Sequence, residues 1–217
     1  MFPDPRTVRG DEPFARGVNY EPAVLVDAYA HGIFPWPYDD GEVYWWSPDP
    51  RAVIKPDQLH VSRSLRRTLR RSEWRCTVDR AFDDVMAACA EPRGTGSWIT
   101  DDYRAGYARL HALGIAHSVE IWEGDELVGG VYGVVIGAVF TGESMFHRRT
   151  DASKAALVGL CAHMRRQGLA LIDAQLPTDH LLSMGAVALP RAEFLELLEQ
   201  LGIRRRVFAI TTEVPLT

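Results

Sequence analysis

The chain has 217 residues, 47% of them hydrophobic and 24% charged, with a formal net charge of −5. This excludes a disordered chain and supplies apolar surface for one large or two small cores, while the acidic average repels polyanions and confines any RNA site to a local patch. Cys76, Cys89 and Cys161 form neither a CxxC pair nor a metal cluster, and no signal-like or bilayer-length apolar run occurs, so the expectation is a cytoplasmic protein without disulfides, metal or a membrane role.

The first 20 residues lack periodicity and read as a surface arm. From Pro22, the residues Val24, Leu25, Ala28 and Tyr29 recur at helical spacing, with Gly32 as a stop. The segment 34–50 holds four prolines among six aromatic residues and is read as turn-rich, with Trp45 and Trp46 pointing opposite ways if they lie on a strand. A strand is predicted at Arg51–Ile54. Ser62 caps a helix over Ser64–Arg71 in which Leu65 and Leu69 are the apolar side. Asp79 caps a helix carrying Phe82, Val85, Met86 and Cys89, and Thr100 caps one carrying Tyr103, Tyr107 and Leu110. His117–Trp122, Leu127–Ile136 and Ala138–Phe140 read as an antiparallel meander with a hairpin at Gly124. A helix over Ser153–Arg166, a buried strand ending at Gln175 and a helix opened by Pro190 complete the chain.

Four constellations carry candidate chemistry. Asp173 and Gln175 are two apart on a strand, which puts both side chains on one face; a strand-end aspartate bonded to a loop amide is the plainer alternative. Glu143 follows the strand that ends at Phe140 and could orient an amine or a ribose, or be a turn carboxylate in a surface ion pair. Ser144 beside it has no base at a recognisable spacing. Trp36 and Trp98, in or beside loops, could stack on an unpaired base or plug the core. Arg63, Arg66, Arg67, Arg70 and Arg71 crowd one helix, as phosphate binding requires, with a solvated face as the alternative. Gly129, Gly130 and Gly133 lie within a strand and indicate a close backbone or ligand approach, or a bulge.

The strings at Gly32–Trp36 (GIFPW), Trp45–Val53 (WWSPDPRAV), Ser97–Thr100 (SWIT), His117–Glu120 (HSVE), Leu127–Gly133 (LVGGVYG), Gly142–Phe146 (GESMF) and Leu171–Gln175 (LIDAQ) resemble, in this order, the leucyl/phenylalanyl-tRNA–protein transferases. The resemblance implies an α+β fold: a small N-terminal domain over 1–95, and an acetyltransferase-like (GNAT-like) domain over 96–217 with a mostly antiparallel central sheet. It implies transfer of Leu or Phe, less well Met, from aminoacyl-tRNA to acceptor proteins with N-terminal Lys or Arg, which marks them for N-end rule degradation. No cofactor and no metal are expected, and the chain is read as a monomer. By motif, Asp173 and Gln175 would be the catalytic pair, with Asp173 polarising Gln175 and Glu143 orienting the reacting groups. Trp36 and Trp98 would hold the terminal adenosine of the tRNA, with Tyr107 near the site. Val131, Leu157, Leu160 and Ile172 would line the pocket for the aminoacyl side chain. A coenzyme A-dependent acetyltransferase is the runner-up, disfavoured because 146–151 offers no glycine for a pyrophosphate, and an RNA-binding module without activity is the other alternative.

Overall fold

A computed structural model of the chain describes residues 2–8, 12–13, 15–17, 19–37, 42–91, 98–202, 208 and 213–216. Its centre is a seven-stranded sheet of β4 (Arg51–Ile54), β5 (Trp74–Val78), β6 (Ala116–Glu123), β7 (Glu126–Ile136), β8 (Val139–His147), β9 (Leu171–Gln175) and β10 (Val187–Leu189), in the order β10-β4-β9-β8-β7-β6-β5. Every neighbouring pair is antiparallel except β8 and β9. Parallel neighbours need a crossover, here α5 (Ala152–Gln167), which lies against one sheet face and buries Leu157, Leu160, Cys161 and Met164. The opposite face is covered around β6 to β8 by α3 (Phe82–Ala90) and α4 (Asp101–Ala112), so the middle of the sheet is buried on both sides. The α+β class and the mostly antiparallel sheet agree with the sequence reading.

A second, three-stranded sheet joins β1 (Ala15–Arg16), β3 (Val43–Trp46) and β2 (Phe34–Pro37) in that order. The segment read as turn-rich therefore holds a pair of strands. Proline is tolerated because β2 is an edge, where a missing N–H breaks no ladder. Trp45 is fully buried and Trp46 only partly, as alternation along β3 requires. Ahead of β2, α1 (Pro22–Ala30) starts with proline in its first turn and ends at Gly32, whose φ of +73° suits glycine. The N-terminal arm is less free than expected: Pro5 is buried and the Phe2 ring lies 4.6 Å from that of Trp45.

Among the remaining helices, α2 (Arg63–Arg71) is capped by Ser62, whose Oγ accepts from Leu65 N at 3.1 Å. The short α6 (Asp179–Ser183) and the final α7 (Arg191–Gly202) follow β9. Asp79 is not a helix cap: it adopts φ +57° and its carboxylate accepts from Ser118 N and faces His117 Nδ1 at 2.7 Å, tying β5 to β6, while Ala81 precedes α3. The expected division at 95/96 lies outside the described residues, as does Ser97 of one motif; β4 and β5, both before that position, lie in the seven-stranded sheet. Among the described residues no helix is long and apolar enough to cross a membrane.

Candidate active site

The site forms where β8 and β9 part. Their parallel pairing runs Val139↔Leu171, Phe140↔Ile172, Thr141↔Asp173 and ends there. Directly beyond, each strand carries an extra residue. In β8 the register moves from Tyr132↔Ser144 to Gly133↔Gly142, so Glu143 is the unpaired residue; in β9 it moves from Ala52↔Gln175 to Val53↔Asp173, so Ala174 is. A bulge bends its strand and re-aims the side chains around it. Two of them side by side open the sheet into a recess. Gly133 permits the first, since a Cβ there would stand 2.1 Å from Thr141 O; Gly129 likewise admits the backbone of Ala152 at the start of α5, so these strand glycines serve packing and a bulge.

The recess, about 260 Å³, runs between α5 and the sheet. Val131, Phe140, Leu157, Leu160 and Ile172 form its apolar wall, while Glu143, Gln175 and His180 stand among its polar residues. Val131, Leu157, Leu160 and Ile172 are thus brought together, and Ser144 lies on the same wall.

Glu143 joins the two faces of the sheet. Its Oε1 accepts from Gln175 Nε2 at 3.3 Å, and its Oε2 accepts from Tyr103 Oη at 2.8 Å and Tyr107 Oη at 3.3 Å. Tyr29 Oη in turn meets Tyr107 Oη. Tyr103 and Tyr107 are one helical turn apart on α4, stacked with centroids 4.1 Å apart, and both are fully buried. Burial raises the pKa of Tyr29, Tyr103 and Tyr107 well above the ordinary tyrosine value, so all three remain donors. For the carboxyl the contributions oppose one another. Burial, the largest, pushes Glu143 upward, hydrogen bonds from Tyr29 and Tyr103 pull it down, nearby Asp173 raises it and Tyr107 lowers it, leaving it at about 7. A carboxyl titrating there can accept and return a proton near neutrality. Tyr107 belongs to the support of Glu143 and does not line the recess. Sequence periodicity places Tyr103 in the core and gives it no role; its spacing of four from Tyr107 is the available sign of a shared polar partner.

Asp173 is arranged differently from the sequence expectation. It is 1% exposed and absent from the lining of the recess. Its Oδ1 and Oδ2 take the Nε and Nη2 of Arg51 at 2.7 and 2.6 Å, Thr141 Oγ1 is 3.4 Å from Oδ2, and Oδ1 also accepts from the backbone N of Gln175 at 3.1 Å. The bond to Gln175 is therefore to its main chain, because the extra Ala174 breaks the alternation that would have aligned the two side chains. Gln175 holds a left-handed φ of +62°, unusual for a residue with a side chain. Its amide is thereby fixed from two sides, backbone on Asp173 and side chain on Glu143. Arg51, missed from the sequence, is 1% exposed, donates to Gly32 O at 3.1 Å, and has the rings of Phe34 and Phe194 at 4.9 and 4.7 Å from its guanidinium carbon. It anchors the small sheet and α7 to the centre.

Trp36 and Trp98 are neighbours, centroids 5.8 Å apart and tilted by 44°, and both are partly exposed. Trp98 also meets Tyr103 edge-on at 5.2 Å, which places this pair beside the Glu143 cluster. Arg63, Arg66, Arg67, Arg70 and Arg71 are all exposed on α2, with no ion pair among the described residues, while Leu65 and Leu69 are buried. Thr68 Oγ1 lies 3.3 Å from Asp151 Oδ2, just ahead of α5, so the basic helix rests on the element that walls the recess.

Comparison with known proteins bears on what this site does. A family model described as leucyl/phenylalanyl-tRNA protein transferase matches residues 53–199, and one described as the N-terminal domain of that protein matches 19–49. The leucyl/phenylalanyl-tRNA–protein transferase of Shewanella baltica (strain OS223) is 50% identical over 204 residues, covering 92% of this chain and 86% of that protein. The protein of the same name from Aromatoleum aromaticum is 57% identical over 182 residues, covering 83% and 77%. Among solved structures, L-PGS from Bacillus licheniformis superposes with a TM-score of 0.43 at 12% identity over 73% of this chain and 52% of that one, a likeness from which nothing further follows.

Proposed function

The chain belongs to the leucyl/phenylalanyl-tRNA–protein transferase family, and we propose that it forms a peptide bond at the Glu143–Gln175 recess, moving Leu or Phe, less well Met, from aminoacyl-tRNA to the N-terminal Lys or Arg of acceptor proteins. Such transfer marks the acceptor for N-end rule degradation, and we take the cytoplasm as its compartment and the monomer as its working form. The observation that carries the reading is an apolar recess that ends at a carboxyl–amide pair.

The aminoacyl side chain enters the recess, where burial contributes about 1.5–3 kcal/mol. The walls of Val131, Leu157, Leu160 and Ile172 present no charge, which favours Leu and Phe, and the absence of a polar partner in them lets Met through in part. This seats the ester carbonyl at the mouth. Gln175 turns its Nε2 toward Glu143, so its carbonyl oxygen faces the other way and can accept an N–H of the incoming α-amine. Aminolysis of the ester is downhill, and alignment of the two substrates supplies most of the acceleration. As the C–N bond forms, the amine proton passes to the Glu143 carboxylate, and when the C–O bond breaks, a proton returns to the departing ribose oxygen. Asp173 takes no part in that exchange; it and Arg51 position Gln175. Trp36 and Trp98 offer stacking surfaces for the terminal adenosine, worth about 1–3 kcal/mol per base, and the arginines of α2 bind phosphates further along the tRNA.

The test is direct. The protein is mixed with radiolabelled Leu-tRNA and an Arg-initiated peptide; label is expected in the peptide, and not in one that begins with Asp. Hydrolysis of the ester with no label in either peptide would refute the reading.

A further inference from the structure

Tyr103 touches two parts of the site at once. Its hydroxyl donates to Glu143 Oε2 at 2.8 Å, a shorter bond than the one from Tyr107 to the same oxygen. Its ring meets that of Trp98 edge-on at 5.2 Å and 83°, and Trp98 in turn neighbours Trp36. One turn of chain joins the two contacts: Trp98 stands two residues ahead of the Thr100 cap, whose Oγ1 accepts from Tyr103 N at 3.2 Å. The Tyr103 ring has little freedom, being fully buried, stacked on Tyr107 and met edge-on by Tyr20 at 5.4 Å. Glu143 and Gln175 line the recess and Tyr103 does not, so its hydroxyl reaches the carboxyl from the side away from the substrates.

We propose that Tyr103 is a positioning residue with two tasks: its hydroxyl holds the Glu143 carboxylate for the substrates in the recess, and its ring edge fixes Trp98 as the platform for the terminal adenosine. The inference rests on the reading of Glu143 as the proton acceptor of the transfer, and it adds that acceptor and platform are set by one side chain. Such a link serves the chemistry, because a misplacement of about 1 Å between reacting groups can cost about 10²-fold in rate. A donor behind the carboxyl favours the carboxylate over the acid and leaves the substrate side free to receive the amine proton. The other groups that face Glu143 are Tyr29 from α1, Tyr107 from α4, Tyr132 from β7 and Asp173 from β9, with Gln175 and His180 at the recess. Burial and Asp173 favour the acid, while the hydroxyls of Tyr29 and Tyr107 act with that of Tyr103; the charge of Asp173 is itself paired with Arg51.

Tyr103→Phe separates the two tasks, because it removes the hydroxyl and keeps the ring. Rates are measured with Phe-tRNA and an Arg-initiated peptide, with spontaneous loss of the ester subtracted. The limb of kcat that rises near pH 7 should move up by about one to two pH units, the worth of a hydrogen bond to a charged group set against that of one pH unit. At pH 7 kcat then falls about five- to fiftyfold and recovers toward wild type by about pH 9, with an unchanged KM for Phe-tRNA. Tyr103→Leu removes hydroxyl and ring together, so it should show the same limb and a KM for Phe-tRNA raised about tenfold as the platform loosens. The carboxyl resonance of protein labelled with ¹³C-glutamate, assigned by its loss in Glu143→Gln, reads the shift without any turnover. A fall in kcat that is equal at every pH in Tyr103→Phe would mean general damage and overturns the proposal, as does an unmoved KM for Phe-tRNA in Tyr103→Leu. If wild type transfers nothing to the Arg peptide, the functional reading itself fails and this assignment goes with it; transfer by wild type with a limb or a resonance that stays in place in Tyr103→Phe overturns this assignment alone.

Discussion

Removing the Arg51 guanidinium, as in Arg51→Met, leaves the Asp173 carboxylate buried without its bidentate partner. Both side chains are nearly inaccessible, 1% and 2% exposed, so water cannot take over the lost bonds. Breaking a buried pair of this kind costs about 3–5 kcal/mol, and loss of the hydrogen bond to Gly32 O adds about 1 kcal/mol. Against a total stability of about 5–15 kcal/mol this is a large fraction. Asp173→Asn strands the other charge and should cost a comparable amount. The double variant Arg51→Met/Asp173→Asn strands neither, so its loss should fall short of the sum of the two singles by about 3 kcal/mol. Urea denaturation of all four proteins at fixed pH measures the cycle. A coupling under about 0.5 kcal/mol would mean that the two groups are stabilised independently, and would refute the claim that this pair holds Gln175 in place.

Glu143→Gln should lower kcat by about 10²–10⁴, the usual scale of lost acid–base catalysis, and change the pH profile. Wild-type rates should rise as pH increases through about 7, where the carboxyl ionises; in the variant that limb disappears, and only the limb of the acceptor amine near 8 persists. The same substitution should change stability in the opposite sense. Because the folded-state pKa of Glu143 lies above its ordinary 4.5, its contribution is fully present below about 4.5 and lost as pH rises through about 7, so the variant should be the more stable protein above pH 7, checked by thermal melts at pH 5 and 8. Val131→Phe narrows the recess and should reduce Phe transfer more than Leu transfer, a shift of about 1–3 kcal/mol in relative kcat/KM read from competition between the two charged tRNAs. Replacing Arg66, Arg67 and Arg70 together by Ala should raise KM for aminoacyl-tRNA and flatten its salt dependence by about 0.7–0.9 log units for each phosphate that is no longer neutralised, with the KM for aminoacyl-adenosine unchanged.

Much of the fold is legible in the sequence because its signals are local. The Ser62 and Thr100 caps, the Gly32 stop and the hairpin at Gly124 each depend on a few neighbouring residues, and each is found where periodicity places it. The recess wall can be anticipated only through family resemblance, since Val131, Leu157 and Ile172 come from three different elements. What escapes a reading of the sequence is set by distant partners. Arg51 reads as an ordinary strand residue until Asp173, 122 positions away, is laid beside it. Glu143 reads as a turn residue when the strand before it is ended at Phe140, whereas β8 runs to His147. The same-face argument for Asp173 and Gln175 holds only for a regular strand; one additional residue, Ala174, reverses it. The plainer alternative for Asp173, an amide-bonded aspartate at a strand end, is nearer to what is found.

The recess owes its existence to two surplus residues, one in each of two adjoining strands. Loss of either by an in-frame deletion would let the ladder close over the gap, and loss at 143 would also take away the buried acceptor of Tyr103 and Tyr107. Single-codon deletions at 143 or 174 should therefore remove the cleft, whereas most substitutions at the same places would keep it and only alter its chemistry.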